Sequence, residues 1–178
     1  MKLTYHYNIG ADGKLPNRLQ RHKMERSFTL MVDNIPTQEE AVKTLLPAMG
    51  NPQGKLYINM PLAATIVNPN EQFDRKLGRK RAEEGLAATL VEVFAVSFWP
   101  NATMELHLML GDVPVTIKVL KSGRPVIDDE NARFMMFAIR GDWLAKSRAE
   151  AKAGIAEPMP DDVQALFDAA AEAIPEES

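Results

Sequence analysis

The chain has 178 residues, room for one domain with a small appendage, and a chain of that length buries roughly 70% of its unfolded surface without a metal or disulfide to hold it. Hydrophobic residues make up 46% and charged residues 25%, an ordinary globular balance, and the lack of any cysteine removes disulfides, thiolate metal sites and cysteine nucleophiles. Net charge is −3, but residues 1–90 carry +4 and residues 91–178 carry −7, a split that suits either a basic binding face with an acidic tail or simple solubilisation of the C-terminal part.

Leu3, Tyr5, Tyr7 and Ile9 alternate with Thr4, His6 and Asn8, the period of a half-buried strand. The opening lysine is followed by no apolar run, so no secretory signal is expected, and no apolar stretch reaches the roughly 18 residues of a membrane-spanning helix. Together with the missing cysteines this predicts a cytoplasmic protein. Gly10 to Gly13 reads as a turn, and Lys14 to Arg26, with Arg18, Arg21, Lys23 and Arg26, as a polar helix or ordered loop. A second strand is predicted at Ser27 to Val32.

Thr37 and Glu40 have capping-box spacing, so a helix should begin near Gln38. Val42, Leu45, Leu46 and Met49 would form its buried stripe, and Pro47 and Gly50 would stop it. Lys55 to Val67 is strand-rich, with Pro61 confined to an edge, a strand start or a bulge. A helix is then expected from Asn68-Pro69-Asn70, with a break near Gly78 or Gly85, because Phe73 and Leu77 face a different way from Leu86, Leu90 and Val93. Residues 86–98 are apolar almost all round. They suit a buried helix or an internal strand, and the absence of a turn signal before them favours helix.

The strongest local pattern is Met104 to Val119. Two alternating runs flank Gly111-Asp112, which pairs Leu110 with Val113, Leu108 with Val115, Leu106 with Ile117 and Met104 with Val119 on one face. The other face then pairs Glu105 with Lys118 and His107 with Thr116. Lys121-Ser122-Gly123 should turn the chain into a short strand at Pro125 to Ile127. Ala132 to Ile139 is ambiguous, Asp142 is placed to cap a helix to about Ala153, and Val163, Leu166, Phe167 and Ala170 form the stripe of a last helix. Strands and helices mix without βαβ alternation, so the fold class is α+β: one domain over residues 1–156, with an antiparallel sheet containing hairpin 104–119 packed against helices, and 157–178 as linker and C-terminal helix.

Compact catalytic motifs are missing. Gly50 to Lys55 falls one residue short of a phosphate-binding loop and has Leu56 where the metal-binding hydroxyl belongs. His6, His22 and His107 have no ligand spacing, and no serine sits in a nucleophile elbow. Asp128, Asp129 and Glu130, with Asp112, offer oxygen ligands for a divalent cation, but three consecutive acids suit an acidic helix start better. No cofactor is predicted.

The most suggestive feature is Arg75, Lys76, Arg79, Lys80 and Arg81, two i,i+4 rows of cations on a predicted helix with Glu83 and Glu84 as the local acids. The run from Ile66 through Phe73-Asp74-Arg75-Lys76-Leu77-Gly78-Arg79-Lys80-Arg81-Ala82 resembles a segment of small proteins of phages and other mobile elements. That resemblance implies an accessory protein and assigns no site residues. The leading expectation is a non-enzymatic protein that binds a protein partner through this cationic face. The alternatives are nucleic-acid backbone binding through residues 75–81, joined by Arg18, Arg21, Lys23 and Arg26, and a divalent-metal hydrolase at residues 128–130. Oligomeric state is left open.

Overall fold

In the computed structural model, which describes residues 1–8, 27–50, 54–68, 71–100 and 103–154, the chain forms two antiparallel sheets and, among the described residues, four helices. The fold is α+β. The turn predicted at Gly10, the basic stretch containing Arg18, Arg21, Lys23 and Arg26, and everything after residue 154 lie outside the described residues.

The first sheet has the order β1-β2-β4, with β1 at Leu3–Tyr7, β2 at Phe28–Val32 and β4 at Leu62–Ile66. Its register sets Leu3 beside Val32 and Leu62, and Tyr7 beside Phe28 and Ile66. One face therefore presents Leu3, Tyr5, Tyr7, Phe28, Leu30, Val32 and Leu62, and the other Thr4, His6, Thr29, Met31, Ala63 and Thr65. The second sheet has the order β3-β5-β6-β7-β8, with β3 at Leu56–Asn59, β5 at Leu90–Phe98, β6 at Met104–Leu110, β7 at Val113–Val119 and β8 at Pro125–Val126. Pro61 sits between β3 and β4, where the chain crosses from one sheet to the other.

The β6–β7 hairpin has the register read from the sequence, Met104 with Val119 through Leu110 with Val113. Gly111 supplies the positive φ that its two-residue loop needs. Met104, Leu106, Leu108, Leu110, Val115, Ile117 and Val119 are buried together with Leu30 and Leu62 of the first sheet, so the two sheets share one core. A second turn at Gly123, also at positive φ, brings Pro125–Val126 back onto β7.

Residues 86–98 correct the helical expectation. The preceding helix ends at Gly85, and Leu90–Phe98 is a central strand paired with β3 on one side and β6 on the other. A register shift between Val93 and Ala95 puts Val91 and Val93, then Val96 and Phe98, on the same face. That insertion breaks the two-residue period and gives a spacing close to that of a helix.

The first helix, α1, starts at Gln38 with both capping-box bonds made: the Glu40 backbone N–H donates to Thr37 Oγ1 at 3.1 Å and the Thr37 N–H to Glu40 Oε2 at 2.7 Å. It continues as a π turn over Ala41–Leu45 and returns to α geometry over Leu46–Met49. Pro47 is carried inside the helix, not at its stop, because the wider turn before it relieves the clash a proline ring makes with the carbonyl four residues back. The π turn also rotates the buried stripe: Ala41 and Leu45 go into the core, whereas Val42 and Leu46 stand 50% and 39% exposed. The remaining helices are α2 at Arg75–Glu84, α3 at Asp129–Ile139 and α4 at Trp143–Ala153. α2 begins at Arg75, seven residues after Asn68, because Asp74 caps it. Asp142 takes the cap position of α4 without a side-chain hydrogen bond.

Three substitutions test the observed core. Leu108→Ala should cost about 2–4 kcal/mol in urea unfolding. Val42→Ala should change stability by less than about 0.5 kcal/mol, as an exposed site does, while Leu45→Ala loses at least about 2 kcal/mol. Equal losses at Val42 and Leu45 would contradict the π turn.

Candidate binding surface

α2 is a polar helix with little to bury, and a gap in its side chains docks it. Asp74 accepts from the N–H groups of Lys76 at 2.8 Å and Leu77 at 3.3 Å, closing the N-terminus. One turn on, Gly78 and Ala82 face the first sheet. Thr65 Oγ1 donates to the Gly78 carbonyl at 3.1 Å, and Ala82 is buried with Met31 and Ala63. A Cβ at Gly78 would stand 2.4 Å from Thr29 Oγ1 and 3.3 Å from Thr29 Cβ. Only glycine permits the approach.

With that side against the sheet, the cations point away. Arg75, Lys76, Arg79, Lys80 and Arg81 are all exposed. Lys80 lies 3.9 Å from Glu84 and Arg81 3.3 Å from Glu71. Glu83 is engaged by Lys2, just ahead of β1, at 3.3 Å and does not pair with Arg79. Arg75, Lys76 and Arg79 form no ion pair among the described residues. Leu77, 42% exposed, lies on the side of the helix away from Arg75 and Arg79.

His6 reports the packing of this helix from the sheet side. Its Nδ1 is hydrogen-bonded to Thr29 Oγ1 at 2.9 Å, and its ring meets Phe73 edge-on at 6.1 Å. Burial pushes its pKa below the ordinary histidine value, and the nearby charges of Arg75 and Arg79 push it the same way. No sequence spacing links His6 to Arg75, and only the sheet brings them together.

The acidic residues 128–130 do not converge. Asp128 caps α3, accepting from the Asn131 N–H at 2.8 Å, Asp129 accepts the Tyr5 hydroxyl, and Glu130 is exposed. Burial and the hydrogen bond to Asp129 raise the Tyr5 pKa. Asp112 sits apart in the hairpin turn, and among the described residues no three His, Asp or Glu side chains are grouped to hold a metal.

A second polar constellation lies on the face of β5–β7 turned away from the core. Ser97 Oγ is 3.1 Å from His107 Nε2, and His107 Nδ1 is 3.0 Å from Thr116 Oγ1. Glu105 pairs with Lys118 at 3.2 Å. Burial opposes its ionisation, but hydrogen bonds from Lys118 and Trp99 and the charges of Lys118 and His107 hold its carboxyl below the usual range. A serine beside a histidine has the first contact of a nucleophile and its base. Here the second ring nitrogen meets a hydroxyl where a catalytic acid would stand, so the group has the form of a cross-strand ladder. The Glu105–Lys118 and His107–Thr116 pairings are legible from the hairpin; Ser97 is not, because the pattern of residues 86–98 suits helix or strand and favours helix.

Comparison with family models, curated proteins and solved structures returns no match for this chain. No helix among the described residues is long and apolar enough to cross a membrane.

The Gly78 contact has a direct test. Alanine is the better helix former by about 1 kcal/mol, yet Gly78→Ala should destabilise the protein by about 1–3 kcal/mol through overpacking. The loss should shrink in a Thr29→Ala background, where the opposing hydroxyl is gone. A stabilising Gly78→Ala would contradict the docking. His6 supplies a pH signature. Because its folded pKa is depressed, its neutral form favours the native state above about pH 6.5, and that contribution is lost as pH falls below the ordinary value. His6→Gln should flatten this part of the stability profile. In Arg75→Glu with Arg79→Glu, the His6 titration followed by NMR should move back up.

Proposed function

We propose that this protein is a non-enzymatic accessory protein, of the kind phages and other mobile elements encode, that works by holding a protein partner on the cationic face of α2. One observation carries the reading: Arg75, Lys76 and Arg79 are exposed and without ion pairs among the described residues, on a helix fixed by Gly78 and Ala82. Three adjacent cations with no compensating charge repel one another, and an acidic surface relieves that repulsion. The exposed surface of the helix also carries Leu77, on the side away from Arg75 and Arg79, with Glu83 and Glu84 a turn further on. Such a mixture of arginine, apolar and acidic groups suits a protein surface better than a uniformly negative strand.

A nucleic-acid backbone is the second reading, favoured by where the described residues flanking the other basic stretch lie. Residues 9–26 carry Lys14, Arg18, Arg21, Lys23 and Arg26. The chain flanking them, Asn8 and Ser27, is joined by a 2.9 Å side-chain hydrogen bond at the end of the sheet where His6 meets Arg75 and Arg79. The described residues on either side of that stretch thus lie at the end of the sheet nearest Arg75 and Arg79. Divalent-metal hydrolysis at Asp128, Asp129 and Glu130 has no comparable support.

Arg75→Glu with Arg79→Glu should leave the melting temperature nearly unchanged, as exposed charges contribute little to folding, and should weaken partner binding at least about tenfold. A protein partner held partly by apolar contact should give a shallow salt dependence. A duplex would lose about 0.9 log units of affinity per log unit of salt for each phosphate neutralised. Binding that survives the double reversal would remove α2 from the function.

A further inference from the structure

β1 is an edge strand, hydrogen-bonded to β2 alone among the described strands. The Asp33 N–H donates to the Pro61 carbonyl and the Val67 N–H to the Ser27 carbonyl, both at 2.9 Å, so the odd-numbered residues along β2 turn their backbone groups toward β4. Phe28, Leu30 and Val32 therefore turn theirs toward β1, opposite Tyr7, Tyr5 and Leu3. The N–H and C=O groups of Thr4 and His6 point the other way, where no described strand pairs with them. Proteins protect such edges with proline, bulges or lysine, and Leu3–Tyr7 has none of these.

Beside this edge lies an open cleft of about 210 Å³, several times the roughly 30 Å³ share of one water. Lys2 to Tyr5 line one wall, and Arg124 to Ile127, including β8, line the other. β8 is the edge of the second sheet, so the cleft runs between the open edges of both sheets. The Tyr5 hydroxyl donates to Asp129, three residues beyond β8, which ties the walls together and keeps the cleft formed. We propose that this cleft takes an extended segment of a partner protein, bearing a carboxylate, as a strand added to β1.

Backbone and charge both point to that occupant. Donors and acceptors repeating at every second residue, Thr4 and His6, match another extended polypeptide, and a phosphate backbone has no N–H to answer them. The far wall ends the addition at one strand. The Leu120 N–H bonds the Arg124 carbonyl at 2.9 Å and Val126 pairs with Lys118, so the outward residues of that wall are Pro125 and Ile127, and proline has no N–H to continue a ladder. No carboxylate lines the cleft. Lys2 is already held by Asp33 at 3.7 Å and Glu83 at 3.3 Å, whereas Arg124 is exposed and makes no ion pair among the described residues. A second copy pairing through its own β1 would bring only Leu3–Tyr7, which holds no acid for Arg124. The seat shares no residue with the cations of α2 and goes beyond their proposed role.

Selection of displayed random peptides of about ten residues on the full-length protein tests this, and the enriched sequences should carry an aspartate or glutamate. In the protein alone, the Thr4 and His6 amides should exchange with solvent fast and those of Tyr5 and Tyr7 slowly. A synthetic copy of an enriched peptide should slow Thr4 and His6 at least about tenfold and leave Tyr5 and Tyr7 unchanged. Thr4→Pro removes one outward N–H and no bond to β2. It should weaken the peptide at least about tenfold, as should Arg124→Glu in a second variant, while unchanged shifts across hairpin 104–119 show that each variant remains folded. No enrichment would overturn the proposal, as would a bound peptide that leaves Thr4 and His6 exchanging fast, or full-strength binding by either folded variant. Slow exchange at Thr4 and His6 in the protein alone would place a resident strand there instead. That strand is a second copy if the protection falls on dilution, and another part of the same chain if it does not.

Discussion

The apolar face of the β6–β7 hairpin is the surface to which the other layers of this protein are fitted. Its seven inward side chains are almost completely buried. They meet the first sheet through Leu30 and Leu62, α1 through Ala41 and Leu45, and α3 through Ala132 and Met135. A hairpin closed by two residues makes its contacts locally and needs little loop entropy, so this face forms at low cost and offers the rest of the chain a flat apolar template. The longer-range pairings, β3 with β5 and β4 with β2, are rewarded by what they bury against it.

α2 belongs to a different regime. It contributes almost nothing to the main core and packs on the far side of the first sheet through Gly78 and Ala82, against Thr29, Met31, Ala63 and Thr65. Small residues let a polar helix lie close enough to gain dispersion contacts while its charged residues stay in water. Position and charge are therefore set by separate residues. Gly78 and Ala82 fix where the helix lies; Arg75, Lys76 and Arg79 determine what it presents. That division lets a surface keep unpaired cations without making the fold depend on them.

The sequence was most readable where structure is local. The hairpin register, the Thr37–Glu40 capping box and the strands at Leu3 and Phe28 each follow from residues within a few positions of one another, whereas the helix break was narrowed only to Gly78 or Gly85 and falls at Gly85. What stayed hidden depended on partners far along the chain or on departures from regular geometry. The bulge between Val93 and Ala95 gave a strand the spacing of a helix. The π turn exchanged Val42 for Ala41 on the buried side of α1. The division of residues 55–67 between two sheets has no local signature, because β3 and β4 choose partners 25 or more residues away. For the candidate surface, the cations were visible as a run. Their isolation was not, since Glu83, the acid four residues after Arg79, is engaged instead by Lys2 from the far end of the chain.

The central claim is that the cations of α2 play no part in holding the helix, and amide exchange tests it most directly. With Arg75, Lys76, Arg79 and Lys80 all changed to glutamine, a good helix former, the Gly78 and Ala82 amides should exchange within a factor of about three of the wild-type rate, because their protection comes from docking on Thr29 and Met31. An acceleration of more than about tenfold at those amides, with hairpin 104–119 unaffected, would contradict the account by showing that the charges hold the helix in place.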